Sequence, residues 1–212
     1  MEVLPPISGA EEAVAAAMRQ LPEAGASSID FTGVRSAAAV ALHMHQPLIP
    51  AGGDRLETAA VVGNLAHMLA NPHAGDNHDA PVFLRCYGRM AELVPALLRE
   101  GAAPRILLDY SGTLLHGLAA MGRHDVLDAL VRLTRDPASR AAVEWLGTAW
   151  GHAVAPSTPV ADFRLHVGAW QQHFAALFGM DELRRVRGFS PPEMALPNHP
   201  DVAWAFVRTL RD

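Results

Sequence analysis

Three short stretches carry side chains whose types and spacing could do chemistry. The first is His43-Met44-His45-Gln46-Pro47. Its histidines are two apart, so on an extended strand both point to the same side. Such a pair suits sugar-hydroxyl recognition, because a neutral imidazole both donates and accepts. It suits metal ligation too, since the spacing offers two nitrogens to one ion, and it suits a pair of hydrogen-bonded structural histidines. The second stretch runs from Ala142 to Val154 and holds Glu144 and His152. Glu144 stands among apolar residues, where a carboxylate is costly unless paired; a structural Arg partner is the plain alternative to function. His152, between Gly151 and Ala153, could line a cleft or be a satisfied core histidine. In the third stretch Glu193 follows Pro191-Pro192. Two prolines stiffen the backbone, and a carboxylate held in one place suits a nucleophile or base in glycosyl transfer. A helix-proximal Glu near Asn198 is the alternative. Asp109 and Ser111, in Leu107-Leu108-Asp109-Tyr110-Ser111-Gly112, rank behind these.

These residues need a scaffold that brings distant segments together. After Ser36 the pattern repeats four times: a short apolar run, a polar or glycine-bearing tip, then a helical stretch. The runs are Ala37–Pro47, Arg105–Gly112, Ala142–Val154 and Val186–Leu196. Asp54 and Glu57 form a capping-box pattern, and Leu56, Val62, Leu65 and Leu69 predict a helix behind it. Asp79 with Pro81 predicts a second start, with Phe83, Tyr87, Met90, Val94 and Leu97 on its apolar face. Leu115, Leu118, Leu127, Leu130 and Leu133 mark the helices of the second unit. Ser157 or Thr158 caps a helix whose Phe163, Val167, Trp170, Phe174 and Phe178 step by three or four. Asn198 caps a closing helix with Val202, Phe206 and Leu210. Residues 1–35 read as an N-terminal extension with one helix, Glu11 to Gln20, and a Gly/Ser-rich exit from Gly25 to Ser28.

Strand-then-helix alternation predicts a parallel sheet of α/β class. Four units are about half of a (β/α)8 barrel of about 250 residues, so residues 36–212 read as an incomplete barrel, an open four-stranded sheet being the other outcome. In both, functional groups sit at the C-terminal ends of strands, which is where the three stretches fall.

Composition bounds the function. The 212 residues are 50% hydrophobic and 18% charged, which is ordinary for a globular chain. All 17 basic residues are Arg, so a Lys Schiff base and a P-loop Lys are absent from the chain. Net charge is -5 and no basic stripe emerges, which argues against nucleic acid. Arg184, Arg185 and Arg187 read as the polar end of a helix. Mean hydropathy is +0.11, and no run of about 18 apolar residues predicts a membrane span. The acidic N-terminus does not read as a secretory signal. A single cysteine, Cys86, reads as a packed residue on a helical face, and a reduced, cytoplasmic setting is expected. The loop with His73, Asp76, His78 and Asp79 reads as solvated, and Trp145 and Trp150 as core before sugar platform.

The ordered set of stretches resembles glycoside hydrolase family 57. His43-Met44-His45-Gln46-Pro47 is similar to the family's first signature. Val143-Glu144-Trp145 with Gly151-His152 resembles its second, and Gly188-Phe189-Ser190-Pro191-Pro192-Glu193 its third. The resemblance implies a (β/α)7 barrel and retaining α-glucan chemistry: hydrolysis, branching or glucan transfer. Glu193 would be the nucleophile. His43, His45, Gln46, Glu144 and His152 would line the subsite of the reacting sugar, and no metal or cofactor would be needed. Ser190 stands where the family usually has Trp, Pro191 where it often has Leu, and Ala153 replaces a common Pro.

The family's acid/base Asp lies beyond the nucleophile, yet 19 residues follow Glu193. Neither Asp201 nor Asp212 falls at a new strand end. The expectation is the N-terminal portion of a longer hydrolase or a truncated product, poorly active and aggregation-prone alone, completed by a C-terminal remainder or an oligomer. Two other functions stay open. One is a metal-dependent hydrolase with His43, His45, His152 and a carboxylate around zinc. The other is a non-catalytic glucan-binding or partner protein.

Overall fold

The computed structural model describes residues 4–20, 31–36, 39–51 and 55–211. The expected Gly25–Ser28 exit, the Asp54 half of the capping box, the first two residues of the first apolar run and Asp212 lie outside them.

Helix α1 (Glu11–Arg19) comes first, one residue short of the predicted end. Strand β1 (Ala41–Met44) follows, then β2 (Leu48–Ala51) and β3 (Ala60–Gly63), an antiparallel pair. Short α2 (Asn64–Ala70) and long α3 (Ala80–Arg99) lead to β4 (Ile106–Tyr110). Then come α4 (Gly112–Ala120), α5 (His124–Arg135), α6 (Pro137–Arg140) and β5 (Val143–Gly147). The chain ends with α7 (Val160–Phe178), α8 (Met180–Leu183), β6 (Gly188–Phe189) and α9 (Pro200–Arg211).

The main sheet runs β1-β4-β5-β6, every pair parallel. The four predicted apolar runs each supply one strand. The order follows the chain without reversal, and the sheet is open at β1 and β6 among the described residues. Burial alternates accordingly. Leu108, Tyr110, Val143 and Trp145 are buried under the helices. The opposite face carries Ala41, His43 and Glu144, all exposed, with half-buried Leu107 between. A parallel sheet normally has both faces covered; this one is covered on one.

Helix α7 supplies much of the cover. Phe163, Val167, Trp170, Phe174 and Phe178 recur at helical spacing and all are buried. Each contributes about 1.5–3 kcal/mol by leaving water. Trp145 of β5 packs edge-on to Phe174 with centroids 5.3 Å apart, and Trp170 stacks on Phe174 at 4.8 Å. Trp145 therefore belongs to the core. The N-terminal segment closes over α7: Ala10 N donates to Gln172, Gln172 donates to Glu11, and Val14 and Ala17 are buried.

Several local expectations need correction. Behind Asp54 the predicted helix is instead a single 3-10 turn (Leu56–Thr58) and strand β3 of the hairpin, and α-helix begins only at Asn64. Pro159, not Ser157 or Thr158, occupies the cap of α7; the Thr158 hydroxyl donates to Val154 O instead. His199, not Asn198, abuts α9, and its Nδ1 accepts from Asp201 N. Cys86 is exposed on α3 rather than packed, because it lies off the stripe of Leu84, Tyr87 and Val94.

Candidate functional site

The C-terminal ends of β1, β4, β5 and β6 gather one cluster of polar side chains. Register pairs His43 of β1 with Asp109 of β4. Their side chains meet: His43 Nδ1 donates to Asp109 Oδ2 over 2.6 Å, and Asp109 is only 1% exposed. Two residues on, His45 Nδ1 lies 2.8 Å from Ser111 Oγ. Ser111 is the cap of α4 and accepts from Leu114 N. The same hydroxyl lies 3.3 Å from Thr113 Oγ1, so Ser111 joins His45 to the start of α4.

His152 completes the trio from the loop after β5. Its Nε2 is 2.9 Å from His43 Nε2, and its ring stacks on His45 with centroids 4.2 Å apart. The loop hangs from α7: Trp150 N donates to His166 O, and Gly151 N to His166 Nδ1. Below it the Trp150 ring lies directly on Gly112, where a Cβ would sit 2.1 Å from a ring carbon. Glu193 arrives from the loop after β6, tied to β5 by Ser190 N donating to Gly147 O and by the Thr148 hydroxyl donating to Ser190 O. Its Oε1 is 3.5 Å from His152 Nδ1.

Backbone strain concentrates here. Among the described residues, the non-glycine residues with positive φ are His152, Glu193 and Met194. Each left-handed residue costs about 1–2 kcal/mol, and such cost persists where surrounding structure imposes it, most often at functional sites. Glu193 (φ 57, ψ 18) follows directly on the two prolines, so the stiffness read from the sequence ends in an imposed turn.

The imidazoles differ in charge. The hydrogen bond to Asp109 holds His43 above the ordinary imidazole range. Burial, then the charges of His152 and His43, pushes His45 down to about 4. Burial and His43 also lower His152. The cluster therefore sets one imidazole that is easier to charge than an ordinary histidine between two that are harder to charge, beside an exposed carboxylate.

The remaining predicted residues are placed differently. Gln46 donates to the Tyr87 hydroxyl and accepts from Asn64 Nδ2, so its amide is largely engaged in bracing the start of the hairpin. Glu144 is the second residue of β5, beside Leu107, about 10 Å along the strand from the end that bears the cluster. It is exposed, so the cost of burial expected for it does not arise. Asp109 and Ser111 matter more than their rank in the sequence suggested. Asn64 and Tyr87 were not foreseen; no spacing rule links them to Gln46.

His43 and His45 each have Nδ1 fixed by a partner, which is how metal-bound histidines are oriented. Yet the His45 and His152 rings are inclined by only 19°, so their in-plane lone pairs do not meet at one point. Among the described residues no three His, Cys, Asp or Glu side chains are arranged to hold a metal ion. A cavity of about 600 Å³ opens elsewhere, between α3 and the α5–α6 corner, lined by Ala91, Pro95, Arg132, Arg135 and Asp136. Ser139, which also lines it, donates its hydroxyl to Asp136 Oδ2 and Leu133 O.

Comparison with protein-family models, curated proteins and solved structures finds no match to this chain.

Proposed function

We propose that the chain carries the nucleophile side of an α-glucan-active retaining glycoside hydrolase or glucanotransferase of the family 57 type. The observation that supports this most is the convergence of the strained, proline-backed Glu193 with His43, His45 and His152 at the strand ends. In this reading a Glu193 oxygen attacks the anomeric carbon, the bond from that carbon to the leaving oxygen breaks, and a glycosyl ester forms. The imidazoles face the sugar hydroxyls as donors and acceptors.

Protonation of the leaving oxygen is a separate task. Asp109 and Glu193 are the carboxylates tied into the cluster, and Asp109 is buried against His43. The acid is therefore proposed to come from a further segment or a partner chain that covers the open sheet face. General acid–base assistance is typically worth about 10²–10⁴-fold, so this chain alone would turn over natural glucans slowly.

A substrate that needs no acid isolates the nucleophile. Incubation with 5-fluoro-α-glucosyl fluoride, whose fluoride departs unprotonated, is expected to leave one glycosyl group on Glu193, located by peptide mass spectrometry. Glu193→Gln should abolish the label. Absence of labelling, or labelling that survives the substitution, would refute the assignment. Glucan binding retained by that variant, with no label before or after, would favour the non-catalytic binding protein.

A further inference from the structure

We infer that Asp109, His43, His152 and Glu193 form one chain, two hydrogen bonds and a closing His152–Glu193 contact, in which Asp109 is a positioning residue that dictates which nitrogen of His152 faces the reactive carboxylate. The links run Asp109 Oδ2 to His43 Nδ1 at 2.6 Å, His43 Nε2 to His152 Nε2 at 2.9 Å, and His152 Nδ1 to Glu193 Oε1 at 3.5 Å. Each imidazole is used through both nitrogens, so the proton on one constrains the next.

The order of protons follows from burial. Asp109 is 1% exposed, and its second oxygen has no hydrogen-bond partner among the described residues. A carboxylate in such a place is tolerable only opposite a positive charge, and His43 supplies it by carrying protons on both nitrogens. His43 Nε2–H then donates to His152 Nε2, which must accept. A neutral His152 accepting on Nε2 keeps its proton on Nδ1, the nitrogen that faces Glu193. Glu193 Oε1 receives this N–H, and Oε2 remains for the reacting carbon. The last link is long, as is common before substrate tightens a site. Among the described residues, the titratable groups that act on the two linking rings are Asp109, Glu193 and His45. His45 stacks on His152, and burial with the neighbouring imidazole charges favours its neutral form, so it does not compete for the proton.

Losing the Asp109 charge reverses the order. Asn at that position can still accept from His43 Nδ1, but nothing then favours a second proton on His43. Two bare Nε2 lone pairs would face each other, so His152 shifts its proton to Nε2. That leaves its Nδ1 lone pair against the Glu193 carboxylate, which repels it.

Ring-¹⁵N-histidine NMR on the full chain reads this directly, without substrate. Near pH 7 the expected wild-type spectrum shows His43 protonated on both nitrogens and His152 on Nδ1 alone. Asp109→Asn should lower the His43 midpoint by about 1–3 pH units and move the His152 proton to Nε2. If that variant does not fold, the wild-type titration still decides. The His152 tautomer should switch with the same midpoint as His43, and independent midpoints would overturn the chain. Stoichiometric zinc that takes up both Nε2 atoms would also overturn it, by making the pair metal ligands. The use of the chain rests on Glu193 being the reactive carboxylate, but its proton order does not. Coupled titration with no glycosyl label sinks the sugar reading alone; label with uncoupled titration sinks the chain alone.

Discussion

His173 makes the acid stability of this fold calculable. It lies on α7, 0% exposed, its ring 5.1 Å from Trp150 and 5.9 Å from His116. Its Nδ1 donates to Pro5 O, and its Nε2 has no hydrogen-bond partner among the described residues. Burial, and secondarily the charge of His116, pushes it down to about 4. An unfolded histidine titrates near 6.5. The folded value is the lower one, so the unfolded chain takes up the proton first as pH falls. The contribution is whole above about pH 6.5 and drains away as pH drops toward 4. Over the interval from pH 7 to pH 5 the two values imply a loss of about 2 kcal/mol from this one group, an order-of-magnitude figure. His173→Gln removes the titration while keeping a donor for Pro5. Urea unfolding followed by tryptophan fluorescence at pH 7 and pH 5 gives the comparison. Wild type should lose about 2 kcal/mol more than the variant between the two pH values. Equal losses in both proteins would show that His173 is accessible to protons in the folded state and refute the reasoning.

Two further substitutions probe the supports of the cluster. Gly112→Ala places a methyl group against the Trp150 ring, which its backbone bonds to His166 and Thr113 prevent from retreating freely. A destabilisation of about 1–3 kcal/mol with altered tryptophan emission is expected, and a silent substitution would contradict the packing. Ser111→Ala deletes the cap of α4 and the His45 contact together. The expected cost is about 1 kcal/mol by thermal unfolding, with a shifted His45 resonance; an unchanged resonance would mean that Ser111 does not hold the ring.

The sequence is informative where its signal is local. The β4 run is bounded by Arg105 and Gly112, and the α7 ridge of Phe163, Trp170 and Phe178 repeats at 3.6 residues; both elements form where they were read. The β2–β3 hairpin was misread because Leu56, Val62 and Leu65 mimic helical spacing, while the pairing of Leu48 with Gly63 is a contact across the loop that periodicity does not encode. Within the site, Glu193 and His152 were legible from their proline and glycine neighbours. Asp109 was undervalued because its importance depends on register: one step along β4 would point it away from His43. Glu144 failed for a related reason. Its distance from the strand end, not its residue type, decides whether it can reach the cluster.

Helix α7 has a consequence that reaches beyond its own packing. At one position it grips the terminal segment through Gln172 and His173, and less than two turns earlier His166 suspends the loop that bears His152. The same rod therefore serves as a lever between the two. A small shift where the terminus is fastened would tilt the imidazole relative to Glu193, so the leading residues, remote from the cluster, would set how well its side chains line up.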